Sequence, residues 1–193
     1  MAIIDNPMAA DTTLTITQIE VGLANYFDAR KNIIVPNVSW GLLNHEADLL
    51  ILSKSGYLTE IEIKRSWSDF LADFRKCHAH DDRKVSRRYF AVPHSIVGRC
   101  REKLRELSLF DEWGLVAYAE NPYPTDRNPC LVEITHYPSN IRQHDSGKKL
   151  TTDEMFQLAR LGAMRTWPLK ASITRYQEEL SKYYNGNRNN QTN

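Results

Sequence analysis

Two apolar runs around a short polar turn predict an antiparallel β-hairpin, whose register constrains the rest of the fold. The runs are residues 47–52 and 57–63, and Gly56 closes the turn between them. If the loop has three residues with Gly56 in the left-handed conformation, Ser53 pairs with Tyr57. The numbers of paired residues then sum to 110, and a slip of one residue would turn every side chain to the other face.

The predicted register places acidic residues of both strands on one face of the hairpin. Asp48 lies opposite Glu62, and Glu46 lies opposite Lys64 on the same face. Like charges directly across a sheet destabilise it, and burial would add a desolvation penalty. A divalent cation between Asp48 and Glu62 removes both costs, since Mg²⁺ prefers carboxylate oxygens. The alternative is an exposed polar face with a Glu46–Lys64 ion pair.

A further carboxylate, Glu20, falls among the apolar positions of the helix predicted over residues 14–30. A charged group on the buried side of a helix is costly unless something pairs with it. Glu20 is therefore a candidate third carboxylate for the hairpin site. The apolar positions at helical spacing are Ile16, Ile19, Leu23, Tyr26 and Phe27.

Helices and strands are predicted to alternate along the rest of the chain, which indicates one α/β domain. We expect this domain to span residues 1–182, with a helical extension at about 150–182 and a polar, disordered tail at 183–193. Ser66 or Ser68 is suited to cap the helix after the hairpin. The predicted helices are 65–80, 95–107 and 151–167, and the further strands are 32–40, 86–93, 113–120 and 129–138.

Composition excludes several classes of protein. The N-terminal stretch "MAIIDNPMAADTT" has neither a basic start nor a long apolar run, so we expect no signal peptide. No window approaches the roughly eighteen apolar residues of a membrane span, so we expect no membrane partner. The three cysteines are widely spaced and form no CxxC pair. Such cysteine usage suits a reducing cytoplasm and argues against a disulfide framework or a structural zinc site.

The net charge of +1 hides an uneven layout along the chain. Residues 1–63 hold 3 basic and 8 acidic residues, whereas residues 64–108 hold 12 and 6. An acidic cluster beside a basic segment suits a protein that brings cations and a polyanion together, although solvated helix faces give the same counts. The candidate contacts to a nucleic-acid backbone are Arg83, Lys84, Arg87, Arg88 and His80.

The order of these features resembles the PD-(D/E)XK nuclease superfamily. The resemblance lies in "ADLLIL", "YLTEIEIKRSWSDFLADF" and "RRYFAVP". Members carry an acidic residue on one strand and E-x-K on the next, followed by a helix and a strand. Asp48 and residues 62–64 match that order, and Glu20 matches a glutamate that the first helix often supplies. Over roughly residues 15–120 the text is most similar to the MmcB-like DNA repair family and related phage-encoded proteins. Ala47 stands where the superfamily name has proline.

The resemblance implies a mixed central β-sheet flanked by helices, a restriction-endonuclease-like core that hydrolyses phosphodiester bonds with Mg²⁺ or Mn²⁺. Asp48, Glu62 and the Ile63 carbonyl would hold the ion, and Glu20 would help directly or through water. Lys64 would orient the attacking water or stabilise charge in the transition state. The implied substrate is DNA, and the implied origin is the cytoplasm of a bacterium or a phage-infected cell.

Several alternatives stay open at this point. A structure-selective resolvase or a restriction-type endonuclease would have the same fold, and a DNA-binding module could keep the fold without catalysis. A Ca²⁺-binding structural protein is less favoured, because Lys64 would stand among the ligands. Glu46 and Glu60 are second choices as metal ligands. The oligomeric state is undetermined, with a homodimer among the alternatives.

Overall fold

A computed structural model describes residues 11–38, 41–74, 82, 84–139 and 149–189, with side chains placed up to residue 183 in the last range. The chain forms a six-stranded mixed sheet flanked by four helices, which confirms the predicted α/β class. In chain order the elements are α1 Ile16–Tyr26, β1 Ile33–Val38, β2 Ala47–Leu52, β3 Leu58–Ile63, α2 Trp67–Asp73, β4 Val85–Pro93, α3 Val97–Glu106, β5 Trp113–Thr125, β6 Asn128–His136 and α4 Thr152–Asn189.

The strands follow one another across the sheet in sequence order, from β1 at one edge to β6 at the other. The β1–β2, β2–β3 and β5–β6 pairs are antiparallel, whereas β3–β4 and β4–β5 are parallel. Parallel neighbours need a crossover, and α2 and α3 lie in the two connections that provide it. The centre of the sheet is therefore parallel, and β3 is its first parallel strand.

The β2–β3 hairpin has the predicted register. Leu49 pairs with Ile61 and Leu52 with Leu58, so paired numbers sum to 110. Gly56 has φ of +89°, the left-handed conformation that the three-residue loop requires. The Ser53 N–H donates to the Tyr57 carbonyl across 2.9 Å and closes the loop.

The two faces of the sheet are covered differently. On one face α1 packs through Ile19 and Leu23 against the odd-numbered apolar residues of β2 and β3, such as Ile61. The other face carries two separate apolar cores, one beneath α4 and one beneath α2 and α3. Between those cores β3 turns three polar side chains inward. They are Glu60, Glu62 and Lys64, exposed by 0%, 3% and 2%.

Side-chain caps begin the first two helices. Thr15 and Gln18 form a reciprocal capping box at α1. At α2 the Ser66 hydroxyl accepts from the Asp69 N–H, as the sequence predicted for one of two serines. The described part of α2 ends at Asp73, and residues 75–80 of the predicted helix lie outside the described ranges.

The structure differs from the predicted element bounds in two places. Residues 121–128, left between the predicted strands 113–120 and 129–138, are mostly strand, since β5 continues to Thr125 and pairs it with Asn128. The register is irregular between Glu120 and Thr125, where prolines cannot donate to the ladder. Helix α4 extends to Asn189, seven residues into the segment 183–193 that the sequence predicts to be a polar tail. Residues 190–193 lie outside the described chain.

Within the described ranges, no helix combines the length and the apolar character that a membrane span requires.

A single glycine tests the packing of the central sheet. A Cβ at Gly114 would lie 2.3 Å from the buried Tyr89 ring and 2.9 Å from the His136 carbonyl oxygen. We expect Gly114→Ala to lower the free energy of unfolding by about 2 kcal/mol, because neither neighbour can move without disturbing the sheet. Urea denaturation measures the change. Gly98→Ala is the matched control, since nothing lies within 4 Å of its Cβ position in α3, and equal losses in both variants would contradict this packing.

Candidate active site

Lys64 follows the last residue of β3 and is held from three directions. Its Nζ donates to Glu62 Oε2 and to Asp73 Oδ1, each across 2.9 Å. Its backbone N–H donates to the Ala91 carbonyl, and its carbonyl accepts from the Tyr118 hydroxyl across 2.8 Å. The lysine is therefore fixed by β4, β5 and α2 together, rather than being a mobile surface cation.

The charge of Lys64 is set by its two acidic partners. Burial acts to lower the pKa of this lysine, but the carboxylates of Glu62 and Asp73 outweigh burial and hold the pKa above the usual lysine value. Lys64 is consequently a cation throughout the neutral range. It can stabilise negative charge, but it cannot serve as a general base there.

Asp48 binds the backbone between the two polar residues of the E-x-K sequence. Its Oδ2 accepts from the Ile63 N–H across 2.8 Å, one step beyond the last cross-strand pair, Leu49 with Ile61. The carboxylate thus accepts a hydrogen bond from a backbone N–H that lies past the last hydrogen-bonded pair of β2 and β3. This bond places Asp48 on the same end of β3 as Glu62 and Lys64, where the register argument predicted it.

Glu20 approaches the same end from α1. The charge of Asp48 acts on it, and burial and that charge raise the pKa of Glu20, while a hydrogen bond from Asn37 and the charge of Arg165 act to lower it. The Asn37 Nδ2 donates to Glu20 Oε1 across 3.1 Å, and the Arg165 guanidinium of α4 donates to the Asn37 carbonyl. Glu20 lies at the border of the buried side of α1 rather than inside it, since Ile16 is 40% exposed.

The structure therefore brings together four of the residues singled out in the sequence, Glu20, Asp48, Glu62 and Lys64. Glu62 and Lys64 are buried, and Glu20 and Asp48 are partly exposed. Glu46 precedes β2 and is exposed, and the lysine pairs with Asp73 instead of with Glu46.

The donor set fits a divalent cation only in part. Among the residues that the structure describes, no group of three or more His, Cys, Asp or Glu side chains is arranged to hold a metal ion. Two carboxylates, Asp48 and Glu62, do stand at one end of adjacent strands, with the Ile63 backbone between them. Mg²⁺ is commonly bound through one or two carboxylates and several waters, so a site of this smaller kind agrees with the residues present.

Asp73 is the member of the site that sequence reasoning missed. It lies on α2 and is only 7% exposed, on the side of the helix that carries the buried Phe70. The sequence does contain a signal for it. Asp73 falls three residues after Phe70 and directly before Phe74, within an apolar stripe, which is the same kind of costly position that singled out Glu20.

Glu60, a second choice as a ligand, belongs to a different cluster on the same face of β3. Its Oε1 lies 2.6 Å from His45 Nε2, and its Oε2 lies 3.8 Å from Arg88 Nε. Arg88 also donates to the Asp82 carbonyl across 3.1 Å. These contacts compensate the charge of a carboxylate that has no exposure to solvent.

The basic run proposed to contact nucleic acid is divided by the structure. Lys84 donates to the Leu42 carbonyl and pairs with Glu154, and Arg88 pairs with Glu60, so both have partners inside the protein. Arg87 is exposed, while Arg83 and His80 lie outside the described residues.

The run is also far from the site along the sheet. Arg87 pairs with Thr59 near the start of β3, whereas Lys64 is hydrogen-bonded to Ala91. Four residues of strand separate Arg87 from Ala91, which is about 13 Å. Contact of this run with nucleic acid stays a prediction, and the adjacency in sequence does not bring it to the candidate site.

Comparison with known proteins adds information on the fold alone. No protein-family profile matches the chain, and no curated protein matches it at a significant level. Among solved structures, the chain is similar to the SPO1766 protein of unknown function from Silicibacter pomeroyi. The two have 18% sequence identity and a TM-score of 0.53, over 86% of this chain and 95% of the other. A likeness at this identity indicates a shared fold and carries no statement about activity.

Removal of the second partner of Lys64 tests the ion-pair arrangement. We expect Asp73→Asn to lower the free energy of unfolding by about 2–4 kcal/mol, because a buried cation loses one of two carboxylates. The raised lysine pKa means that this stabilisation is present below the unfolded lysine pKa and is lost only as pH rises through the folded value. Urea denaturation from about pH 6 to 9 should therefore show a constant difference.

Asp69 provides the control for that measurement. It lies one helical turn before Asp73, is exposed, and accepts from the Arg65 N–H. Asp69→Asn should cost clearly less than Asp73→Asn. If the two asparagine variants unfold at the same urea concentration, the buried ion pair does not hold α2 against the sheet.

Glu20→Gln should stabilise the protein near neutral pH. The raised pKa of Glu20 means that its ionised form is less favourable in the folded than in the unfolded state. Glutamine removes that charge and keeps an oxygen for the Asn37 amide. We expect a gain of at most about 1 kcal/mol, since solvent screens a half-buried group. Thermal unfolding should show the gain disappear as pH falls below the pKa of a free glutamate, and a loss of stability at pH 7 would contradict it.

Proposed function

We propose that this chain is a metal-dependent nuclease that hydrolyses phosphodiester bonds in DNA, with the site organisation of the PD-(D/E)XK superfamily. The observation that carries the proposal is the arrangement at the end of β3. Glu62 and Lys64 are in contact across 2.9 Å, and Asp48 of the neighbouring strand binds the N–H of the intervening Ile63. The register of the hairpin produces this juxtaposition from an acid and an E-x-K sequence.

Asp48 and Glu62 would hold the Mg²⁺ or Mn²⁺ ion, with the Ile63 carbonyl as a third donor and Glu20 acting directly or through water. When bound, the ion polarises a phosphate oxygen and lowers the pKa of a coordinated water. The electrostatic surroundings of Glu20 favour such an ion. Burial and the charge of Asp48 both raise the pKa of its carboxyl group, so its ionised form is costly without a cation nearby. A cation there would relieve the repulsion between the two acids.

Lys64 would act as a fixed positive charge. Within the described part of the chain, Glu62 and Asp73 account for two of the three donors of its ammonium group. The third donor is then available to a water or to a phosphate oxygen. Because Glu62 and Asp73 keep the lysine protonated, its contribution is orientation and electrostatic stabilisation of the transition state rather than proton abstraction.

DNA as the substrate rests on the family resemblance and on the placement of cations. Arg65 follows Lys64 directly, and Arg99 of α3 lies over the Trp67 ring at 4.4 Å, at the start of α2. These two arginines are closer in the fold to the end of β3 than the run containing Arg87 is. They are the first candidates for contacts to the phosphates that flank a scissile bond.

A second function has an observation in its favour. Lys64 is only 2% exposed and is held by two carboxylates, and the described residues contain no three-acid group arranged for a metal. A DNA-binding module that kept the fold without catalysis would agree with such a locked lysine. The two functions differ in cleavage and in metal binding, and not in affinity for DNA.

Single-turnover cleavage of duplex, single-stranded and branched DNA tests the proposal. We expect cleavage with Mg²⁺ or Mn²⁺ and none with EDTA. Lys64→Ala should lower the cleavage rate about 100-fold or more with little change in DNA affinity, because its charge acts on the transition state. Asp48→Ala and Glu62→Ala should also weaken Mn²⁺ binding, since each removes a carboxylate from a site with few protein ligands.

Lys54→Ala is the matched lysine control, because Lys54 is exposed in the loop of the same hairpin. It should cleave at the wild-type rate. Wild-type cleavage by Lys64→Ala would remove the central support for a nuclease. DNA binding by the wild-type chain without any metal-dependent cleavage would identify the non-catalytic module instead.

A further inference from the structure

Helix α4 continues well beyond the part of it that packs on the sheet. It has 38 residues, which corresponds to about 57 Å. Leu158 is fully buried, and the Cβ position of Gly162 lies 3.1 Å from Val35 on β1. From residue 166 to residue 183 every side chain except that of Ser172 is exposed.

The exposed part of α4 carries a continuous apolar stripe. Leu169, Ile173, Tyr176 and Leu180 are 62%, 55%, 57% and 55% exposed. Their intervals of four, three and four residues are those of the a and d positions of a coiled coil. Leu158 and Gly162, which contact the sheet, lie on the same side of α4 as the stripe, because all of these positions are separated by helical intervals. The sheet-packing side of the helix therefore extends past the sheet.

A helix of this kind needs something to pack against. Most helical stability in proteins comes from tertiary packing of one apolar face rather than from helix propensity. Pro168 adds a cost, because it lacks an N–H and lies inside the helix just as the stripe begins. The length and the stripe together indicate that the segment is covered in the functional protein.

We propose that the stripe is covered by the same stripe of a second copy of this chain, in an antiparallel helix pair related by a two-fold axis. The stripe is self-complementary in that orientation. Leu169 faces Leu180 of the second copy, and Ile173 faces Tyr176 of the second copy, so that each apolar side chain meets another. The axis passes between residues 174 and 175, at the middle of the exposed segment.

The surroundings of the stripe favour this orientation over a parallel one. In a parallel pair the sheets of both copies would lie at the same height along the two helices. Both sheets would also lie on the side of α4 that carries the apolar stripe, so they would occupy the same space. Arg165 of each copy would also lie beside Lys170 of the other copy, which places like charges together at two symmetry-related positions. In the antiparallel pair Thr166 lies opposite residue 183 of the second copy, so the two sheet domains lie at opposite ends of the exposed segment. Residues 184–189 of each copy, which continue past residue 183, would then have to turn away from the sheet of the other copy.

The size of the seam agrees with a reversible dimer. Four such side chains, each more than half exposed, together with the stems of their neighbours present roughly 500 Å² per copy and about 1,000 Å² per pair. That area is at the lower limit for specific interfaces, where weak and transient complexes are common.

Sedimentation of the full chain from about 1 to 100 µM tests the dimer in this range of affinity. The wild-type chain should pass from monomer to dimer, and Ile173→Glu should raise the dissociation constant at least about 100-fold, since each copy buries a charge in the seam. Trp167→Glu is the matched control. Trp167 is 70% exposed on the opposite side of α4, so this variant should associate like the wild type. Both changes lie outside the sheet domain, and its thermal transition should be unchanged.

A pair of charged variants tests the orientation. Leu169→Lys alone and Leu180→Glu alone should each weaken the dimer. The chain that carries both changes should regain it, because each lysine then faces a glutamate of the other copy. In a parallel pair the double variant would place like charges together and stay monomeric.

Three outcomes would overturn the proposal: a wild-type chain that is monomeric at about 100 µM, an Ile173→Glu chain that associates normally, or equal dissociation by Trp167→Glu. None of these measurements depends on nuclease activity.

Discussion

The buried charged face of β3 is the constraint on which the rest of the structure depends. Glu60, Glu62 and Lys64 have almost no contact with solvent, although they lie on a central strand. Each buried charge must be compensated, because breaking a buried pair costs about 3–5 kcal/mol. Glu62 and Lys64 compensate each other, and further opposite charges come from outside the strand, from Asp73 on α2 and from Arg88 on β4. The polar face therefore sets where these elements dock, and it separates the apolar core beneath α4 from the core beneath α2 and α3.

The parts of the fold that follow from local chemistry could be predicted from the sequence. The loop that contains Gly56 fixes which residues of the hairpin pair with each other. The alternation of side chains along each strand then decides which of them share a face. The partner of Lys64 could not be found in this way, because the crossover that carries α2 sets the approach of Asp73 to β3. The same limit applies to Arg87, which follows the site closely in sequence but lies at the other end of a parallel strand. Sequence proximity after a crossover says little about which end of the sheet a residue reaches.

Charge balance connects the fold with the proposed chemistry. Glu62 and Asp73 both bind the ammonium group of Lys64. Asp48 and Glu20 lie on the adjoining strand and helix, where the charge of Arg165 also acts on Glu20. Burial raises the pKa of Glu20, and the charge of Asp48 adds to that effect. A cation bound beside Asp48 and Glu20 would relieve the repulsion between these two carboxylates.

Arg165 joins the candidate site to the free part of α4. It binds the carbonyl of Asn37, whose side chain donates to Glu20, and it stands three residues before Pro168 and four before Leu169. In the proposed dimer the second copy orders the helix directly after this arginine. A helix frays from its free end, so in the proposed dimer the turn containing Arg165 would be protected on both sides, by the sheet before it and by the second copy after it. Dimerisation would then hold Asn37 in its left-handed conformation, with φ of +49°, and would keep the hydrogen bond to Glu20 in place. In the proposed dimer, the Arg165 guanidinium would link the pairing of α4 to the geometry of the acidic site.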